Sequence, residues 1–226
     1  METSLKVLVL GSTGMLGHQV VMHLEKYDKF EIFNFAHKNL LNKKTKILDV
    51  TDKVNLKAQI YSINPDFVIN CIGLLVNASH DISRAKYLNA VLPHELKKIC
   101  SRTNSKLIHI STDCVFSGKK GLYKEDDLRD GKGTYAKTKI LGELIDDNNL
   151  TIRTSIIGPE IKSSGEGLFD WFMRQDGEVQ GYKNSIWSGV TTLELAKAIK
   201  WAIENNINGI YHITNNLIIN KYELLN

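Results

Sequence analysis

The chain has 226 residues, a formal net charge of +4, and 42% hydrophobic and 24% charged residues. That is a composition ordinary for a globular protein and long enough to bury a core without disulfide staples. Cys71, Cys100 and Cys114 are unclustered and form no CxxC, which argues against a disulfide framework and against a metal site; the positive charges sit in small groups such as Lys119-Lys120 rather than in one stripe, which argues against nucleic-acid binding.

The elements then follow in chain order. KVLVL (6–10) is a buried strand, reached directly from Met1–Leu5 with no signal peptide expected. Apolar residues at helical spacing predict a helix over 15–27, then a strand over 31–36, a helix over 52–63 and a strand over 66–73. A long helix is expected over 82–102, kinked or shifted by Pro93. A strand over 106–112, a helix over 134–145 and a strand over 150–157 complete the alternation. Continuous apolar strands alternating with helices indicate an α/β fold of Rossmann type, a doubly wound parallel sheet covered on both faces.

The last third changes character. Residues 158–190 mix glycines, aromatics and polar residues around one short helix at 167–175; a helix at 193–206 and a strand at 209–215 follow. The expected division is therefore a nucleotide-binding domain over 1–157 and a substrate-binding cap over 158–226, interleaved with the last sheet elements. Asn220 and Glu223 have capping-box spacing and open a helix at Lys221. The cap is expected to continue past Asn226. No apolar run approaches the roughly 20 residues of a membrane span, and reduced thiols suit a cytoplasmic protein.

GSTGMLG (11–17) follows the first strand and opens the first helix. Gly11, Gly14 and Gly17 have the logic of a dinucleotide turn: one glycine for the turn, one for close approach of a pyrophosphate, one for helix–strand packing. Ser12 and Thr13 add hydroxyl donors, and Met15 and Leu16 enter the helix beside them. An NAD-selective fold usually ends its second strand in a carboxylate. Here that strand ends in His37 and Lys38, so NADP(H) is the expected cofactor, with NAD(H) the alternative and Lys38 as a solvated charge the plainer reading. Asp49 is placed to accept from an adenine amino group with Val50 over the ring, or equally to cap a turn.

Tyr135 and Lys139, at i and i+4, share a helix face. A nearby cation lowers a tyrosine's pKa and suits it to acid–base work. Alone, the pair is also an ordinary solvated helix face. Thr112, at the end of a predicted strand, falls on the sheet edge where the glycine loop opens.

GSTGMLG, STDCVF, YAKTK and RTSIIG together resemble the extended short-chain dehydrogenase/reductases, and within them the dTDP-4-dehydrorhamnose reductase group, over nearly the whole chain. The resemblance implies that Thr112 polarises a keto oxygen, Tyr135 donates the proton, and Lys139 binds the nicotinamide ribose and lowers the tyrosine's pKa. It implies that Cys71, Ile72 and Gly73 pass beside the cofactor, that Asn89 supports the site, and that Asp113, Ile156 and Trp187 face the substrate, the last from a loop over 181–192; Trp187 as a core aromatic of the cap is the alternative. The substrate implied is a nucleotide sugar, reduced at C4 of a 6-deoxy-hexulose for surface polysaccharide. A homodimer is an accompanying expectation, and no metal is called for. Cys114 and Ile156 stand where the group often has an aromatic and a tryptophan, and the 181–192 loop lacks the usual proline. Three other readings remain: a reductase of UDP-linked N-acetylated 6-deoxy sugars, a nucleotide-sugar epimerase or dehydratase, and a non-catalytic NADP-binding regulatory subunit.

Overall fold

Residues 4–74, 81–162, 165 and 167–226 are described in a computed structural model. The first apolar run folds as β1 (Leu5–Leu10), between β2 (Phe30–Ala36) and β4 (Phe67–Asn70). Outward lie β3 (Thr45–Ile47) beyond β2, and β5 (Lys106–Ile110), β6 (Leu150–Arg153) and β10 (Gly209–His212) beyond β4. The order is β10-β6-β5-β4-β1-β2-β3, and every pairing is parallel.

Burial on both faces explains why β1 is an unbroken apolar run. Val7 and Val9 point into one core with α1 (Gly17–Leu24) and α7 (Thr192–Glu204). Leu8 and Leu10 point into the other, against α2 (Lys53–Ile63) and α4 (Leu92–Thr103). Sequence order reverses between β1 and β4, so the carboxyl ends of these strands open a crevice, the usual ligand position in such sheets.

Gly17 lets α1 begin hard against the first loop. A Cβ there would collide with the carbonyl of Gly11. Gly17→Ala is expected to cost about 1–3 kcal/mol, the range for overpacking, read as a lower midpoint in urea denaturation; an unchanged midpoint would remove the packing role.

The long helix expected over 82–102 is three pieces. α3 (Ile82–Ala85) runs into a π-helical stretch, Lys86–Val91, and then α4. The Leu92 N–H donates five residues back, to the Tyr87 carbonyl. Pro93 has no N–H for the Asn89 carbonyl, so the disturbance expected at Pro93 is taken up in the turn before it. Gly142 of α5 (Gly133–Gly142) rests on that same carbonyl, where a Cβ would collide.

The single strand expected over 150–157 is two. β6 stays in the main sheet; β7 (Ile156–Ile157) leaves it to pair with β9 (Val190–Thr191). The break falls at Thr154, whose hydroxyl donates to the Ile213 carbonyl at 2.8 Å, and Ser155, whose hydroxyl accepts from Trp187 at 2.7 Å. Both bonds pull the chain toward the last third. There, α6 (Leu168–Met173) follows β7, and β8 (Ile186–Trp187) pairs antiparallel with β11 (Ile219–Asn220). Asn220 caps α8 (Lys221–Leu225), its carboxamide accepting the Glu223 N–H at 2.9 Å. Because β10 and α7 belong to the main sheet and its helical layer, the last third contributes to both layers of the molecule. Among the described residues no helix is long and apolar enough to cross a membrane.

Candidate active site

The glycine loop is pinned to the sheet. The Gly11 and Ser12 N–H groups both donate to the Phe35 carbonyl, at 2.9 and 3.0 Å. Gly11 has φ +81°, a left-handed conformation that side chains disfavour, and a Cβ there would press on Ile72. Gly14 closes the turn by donating to the Gly11 carbonyl at 2.9 Å, and a Cβ on it would meet only that carbonyl. Its outer face is therefore open to a ligand. Thr13 lines the crevice with Gly14. Ser12 does not: its hydroxyl is fully buried without a hydrogen-bond partner. The expected second hydroxyl donor thus turns into the protein, because the loop's bond to Phe35 fixes that residue inward.

One half of the crevice, about 560 Å³, holds His37, Asp49 and Val50 against the glycine loop. Asp49 Oδ1 accepts from the Thr51 N–H and hydroxyl at 2.9 and 2.8 Å, while Oδ2 faces His37 Nε2 at 3.6 Å. The Thr51 bonds hold the carboxyl below its usual range, against burial and with His37 and Arg84 assisting. Asp49 therefore makes the turn with one oxygen and keeps the other toward the crevice. Lys38 is exposed and outside the lining. Arg84, from α3, also lines this half, and its charge acts on Asp49. Its approach is tertiary, and no local spacing announces it.

The other half, about 430 Å³, holds Met15, Leu16, Thr112, Asp113, Tyr135, Lys139 and Ile156. The Thr112 hydroxyl accepts the Cys114 N–H at 3.1 Å and donates to Asp113 at 3.2 Å, and it lines the pocket with Tyr135. Lys139 is almost wholly buried, its Nζ donating to the Ile110 carbonyl at 2.7 Å. A Cβ on Gly73 would stand 4.0 Å from that Nζ and 3.6 Å from Asn89 Oδ1. Asn89 in turn holds the strand-end segment: it accepts the Leu74 N–H at 2.8 Å and donates to the Leu74 carbonyl and the Thr138 hydroxyl, both at 3.2 Å.

The electrostatics differ from expectation at one point. Burial brings Lys139 down to about 8, with Glu143 opposing. Burial pushes Tyr135 up to about 12; the Thr112 hydroxyl opposes this, and Cys114 and Asp113 add to it. The lysine does not lower the phenol here, because its ammonium is engaged with Ile110 rather than with Tyr135.

Trp187 is not on the pocket wall. Its Nε1 donates to Ser155, which is on that wall, and its ring packs over Gly189. Trp187 is half-buried and belongs to neither core cluster. Cys114 is exposed, Cys100 buried and Cys71 intermediate.

Beneath the pocket lies a charged network that sequence alone did not disclose. Glu143 binds Arg153 through both oxygens, at 2.8 and 2.9 Å, the Ser111 hydroxyl at 2.7 Å and Arg129 at 3.0 Å. It ties α5, β6 and the end of β5 together directly behind Thr112.

The two halves of the crevice share Gly14, Cys71, Ile72, Gly73 and Lys162, and so form one groove. An extended dinucleotide fits it: an open glycine turn at the middle, an aspartate-lined end, and a hydroxyl–lysine end. Cys71, Ile72 and Gly73 line both of its halves. Among the described residues no cluster of acidic, histidine and cysteine side chains could hold a metal ion.

Comparison with known proteins agrees with this arrangement. Over 225 residues the chain is 28% identical to the spore coat polysaccharide biosynthesis protein SpsK of Bacillus subtilis (strain 168), covering 96% of this chain and 76% of that protein. It is 25% identical to methionine adenosyltransferase 2 subunit beta of Xenopus laevis, covering 98% and 70% respectively. The crystal structure of a hypothetical dTDP-4-dehydrorhamnose reductase from Sulfolobus tokodaii superposes with a TM-score of 0.86 at 27% identity, over 98% of this chain and 80% of that one. The family model described as RmlD substrate binding domain matches residues 5–226, and the chain belongs to that family.

Proposed function

We propose that the protein reduces the 4-keto group of a nucleotide-linked 6-deoxy-hexulose at the expense of NADPH, in the making of a surface polysaccharide. The observation that carries this reading is the joining of one pocket bearing Thr112, Tyr135 and Lys139 to one groove shaped for a dinucleotide. The cofactor, when bound, supplies the hydride to the keto carbon. Tyr135 gives its proton to the keto oxygen. Its high pKa keeps that proton in place through neutral pH. Thr112 orients the oxygen with its hydroxyl. Lys139, cationic below about 8, stands close to Gly73 on the groove and is the residue for the nicotinamide ribose. Arg84, rather than Lys38, supplies the positive charge for a ribose 2′-phosphate. The reading places the protein in the cytoplasm.

The similarity to a methionine adenosyltransferase subunit favours a second reading, a dinucleotide-binding partner of another enzyme. The full Thr112, Tyr135, Lys139 set favours the reductase. The test is NADPH oxidation by the purified protein offered dTDP- and UDP-linked 4-keto-6-deoxy sugars, with NADH in parallel. Turnover of one sugar with stoichiometric NADPH loss is expected; tight NADPH binding with no turnover of any sugar would replace the reductase by the subunit.

A further inference from the structure

We propose that Lys162 clamps the diphosphate of the dinucleotide from the cap side of the groove. The inference rests on the dinucleotide reading above and adds to it a residue that the motifs do not contain. Two ends of the groove are chemically marked: His37, Asp49 and Val50 at one, Thr112, Tyr135 and Lys139 at the other. A dinucleotide lying between them must carry its two phosphates through the shared middle. Of the residues lining both halves, Gly14, Cys71, Ile72 and Gly73 are uncharged, and Lys162 alone brings a full positive charge. Backbone N–H groups of a glycine turn cradle phosphate through partial charges on one side. A lysine across from them completes the charge balance as a mobile point charge.

The segment that carries Lys162 is tied to itself by hydrogen bonds and packs on the glycine loop. The Gly165 N–H donates to the Lys162 carbonyl at 3.2 Å. The Glu160 carboxylate accepts the Gly167 N–H at 2.5 Å, and the Glu160 N–H donates to Asp170 at 3.3 Å. Gly167 lies so close to Met15 of the glycine loop that a Cβ would collide with the Met15 methyl. Cap and loop therefore meet at the diphosphate position, and binding there draws on both.

The experiment is equilibrium titration of wild type, Lys162→Met and Lys162→Arg with NADPH and, separately, with adenosine 2′-monophosphate, which has the adenosine end and no diphosphate. Lys162 is exposed, so neither variant threatens the core. Lys162→Met is expected to weaken NADPH binding about tenfold, the scale of one charge-assisted hydrogen bond, with Lys162→Arg near wild type and the monophosphate unaffected in both. NADPH affinity unchanged in Lys162→Met, or an equal loss for the monophosphate, overturns the clamp while leaving the dinucleotide groove standing. Failure of wild type to bind NADPH overturns both.

Discussion

Tyr135→Phe should lower kcat at least about a hundredfold, the lower bound for loss of a positioned general acid, while NADPH affinity stays within about twofold. Phenylalanine keeps the ring in its half-buried place and deletes only the hydroxyl that faces Thr112. Thr112 keeps its bonds to Asp113 and the Cys114 N–H, so the neighbouring hydroxyl is not released by the change. Burial holds the Tyr135 proton on to about pH 12, so the acid is in its working form throughout the ordinary range. The first group to fail as pH rises is Lys139, charged below about 8 and neutral above it. The wild-type rate is therefore expected to fall as pH passes 8, with a midpoint that belongs to the lysine and not to the tyrosine. Steady-state kinetics of Tyr135→Phe from pH 6 to 9 decide the matter. Undiminished kcat would take Tyr135 out of the acid role, whatever the shape of the profile.

The parts of this site legible in sequence are those fixed by local backbone geometry. Gly11 must sit at positive φ, Gly14 must leave its face open and Gly17 must touch a carbonyl, and all three demands fall within seven consecutive residues. Thr112 ends an apolar strand, and strand ends are readable from where the apolar run stops. Tyr135 and Lys139 share a helix face by spacing alone. What the sequence concealed depends on contacts made from far along the chain. Arg84 comes to the Asp49 end from α3, far along the chain, whereas Lys38 is the nearer cation in sequence. Lys139 looked set to depress the phenol, but the Ile110 carbonyl, 29 residues back, takes its ammonium. The apolar run LTIRTSII carries no sign of the point where it abandons the main sheet, because that point is set by Ile213 and Trp187. Glu143 and Arg153, ten residues apart, obey no helical or strand period with each other.

That ion pair should dominate stability. Glu143→Ala is expected to cost about 3–5 kcal/mol, the range for stranding one member of a buried pair, read from urea unfolding at pH 7. The side chains of Glu143 and Arg153 are 0% and 2% exposed, so a lone Arg153 has no route to water, whereas Arg129, at 30%, does. Replacing both partners with Leu and Met removes the stranded charge, and the double variant should recover most of the loss. The pair also fixes how stability depends on pH. Burial raises the Glu143 carboxyl, but bonds from Arg153, Ser111 and Arg129 outweigh it and hold the group below its usual value. A carboxyl depressed in the folded state adds stability that is complete above its unfolded pKa and is lost as pH falls through its folded one. Wild type should therefore lose stability as pH drops below about 4.5, the unfolded glutamate range, and Glu143→Gln should lack that component. Because Ser111 bonds the same carboxylate and is joined to Thr112, the variant should also lose turnover with little change in NADPH affinity. A Glu143→Ala protein within about 1 kcal/mol of wild type, the size of an ordinary surface ion pair, would mean that water or Arg129 satisfies the site, and the positioning role assigned to the network behind Thr112 would fall with it.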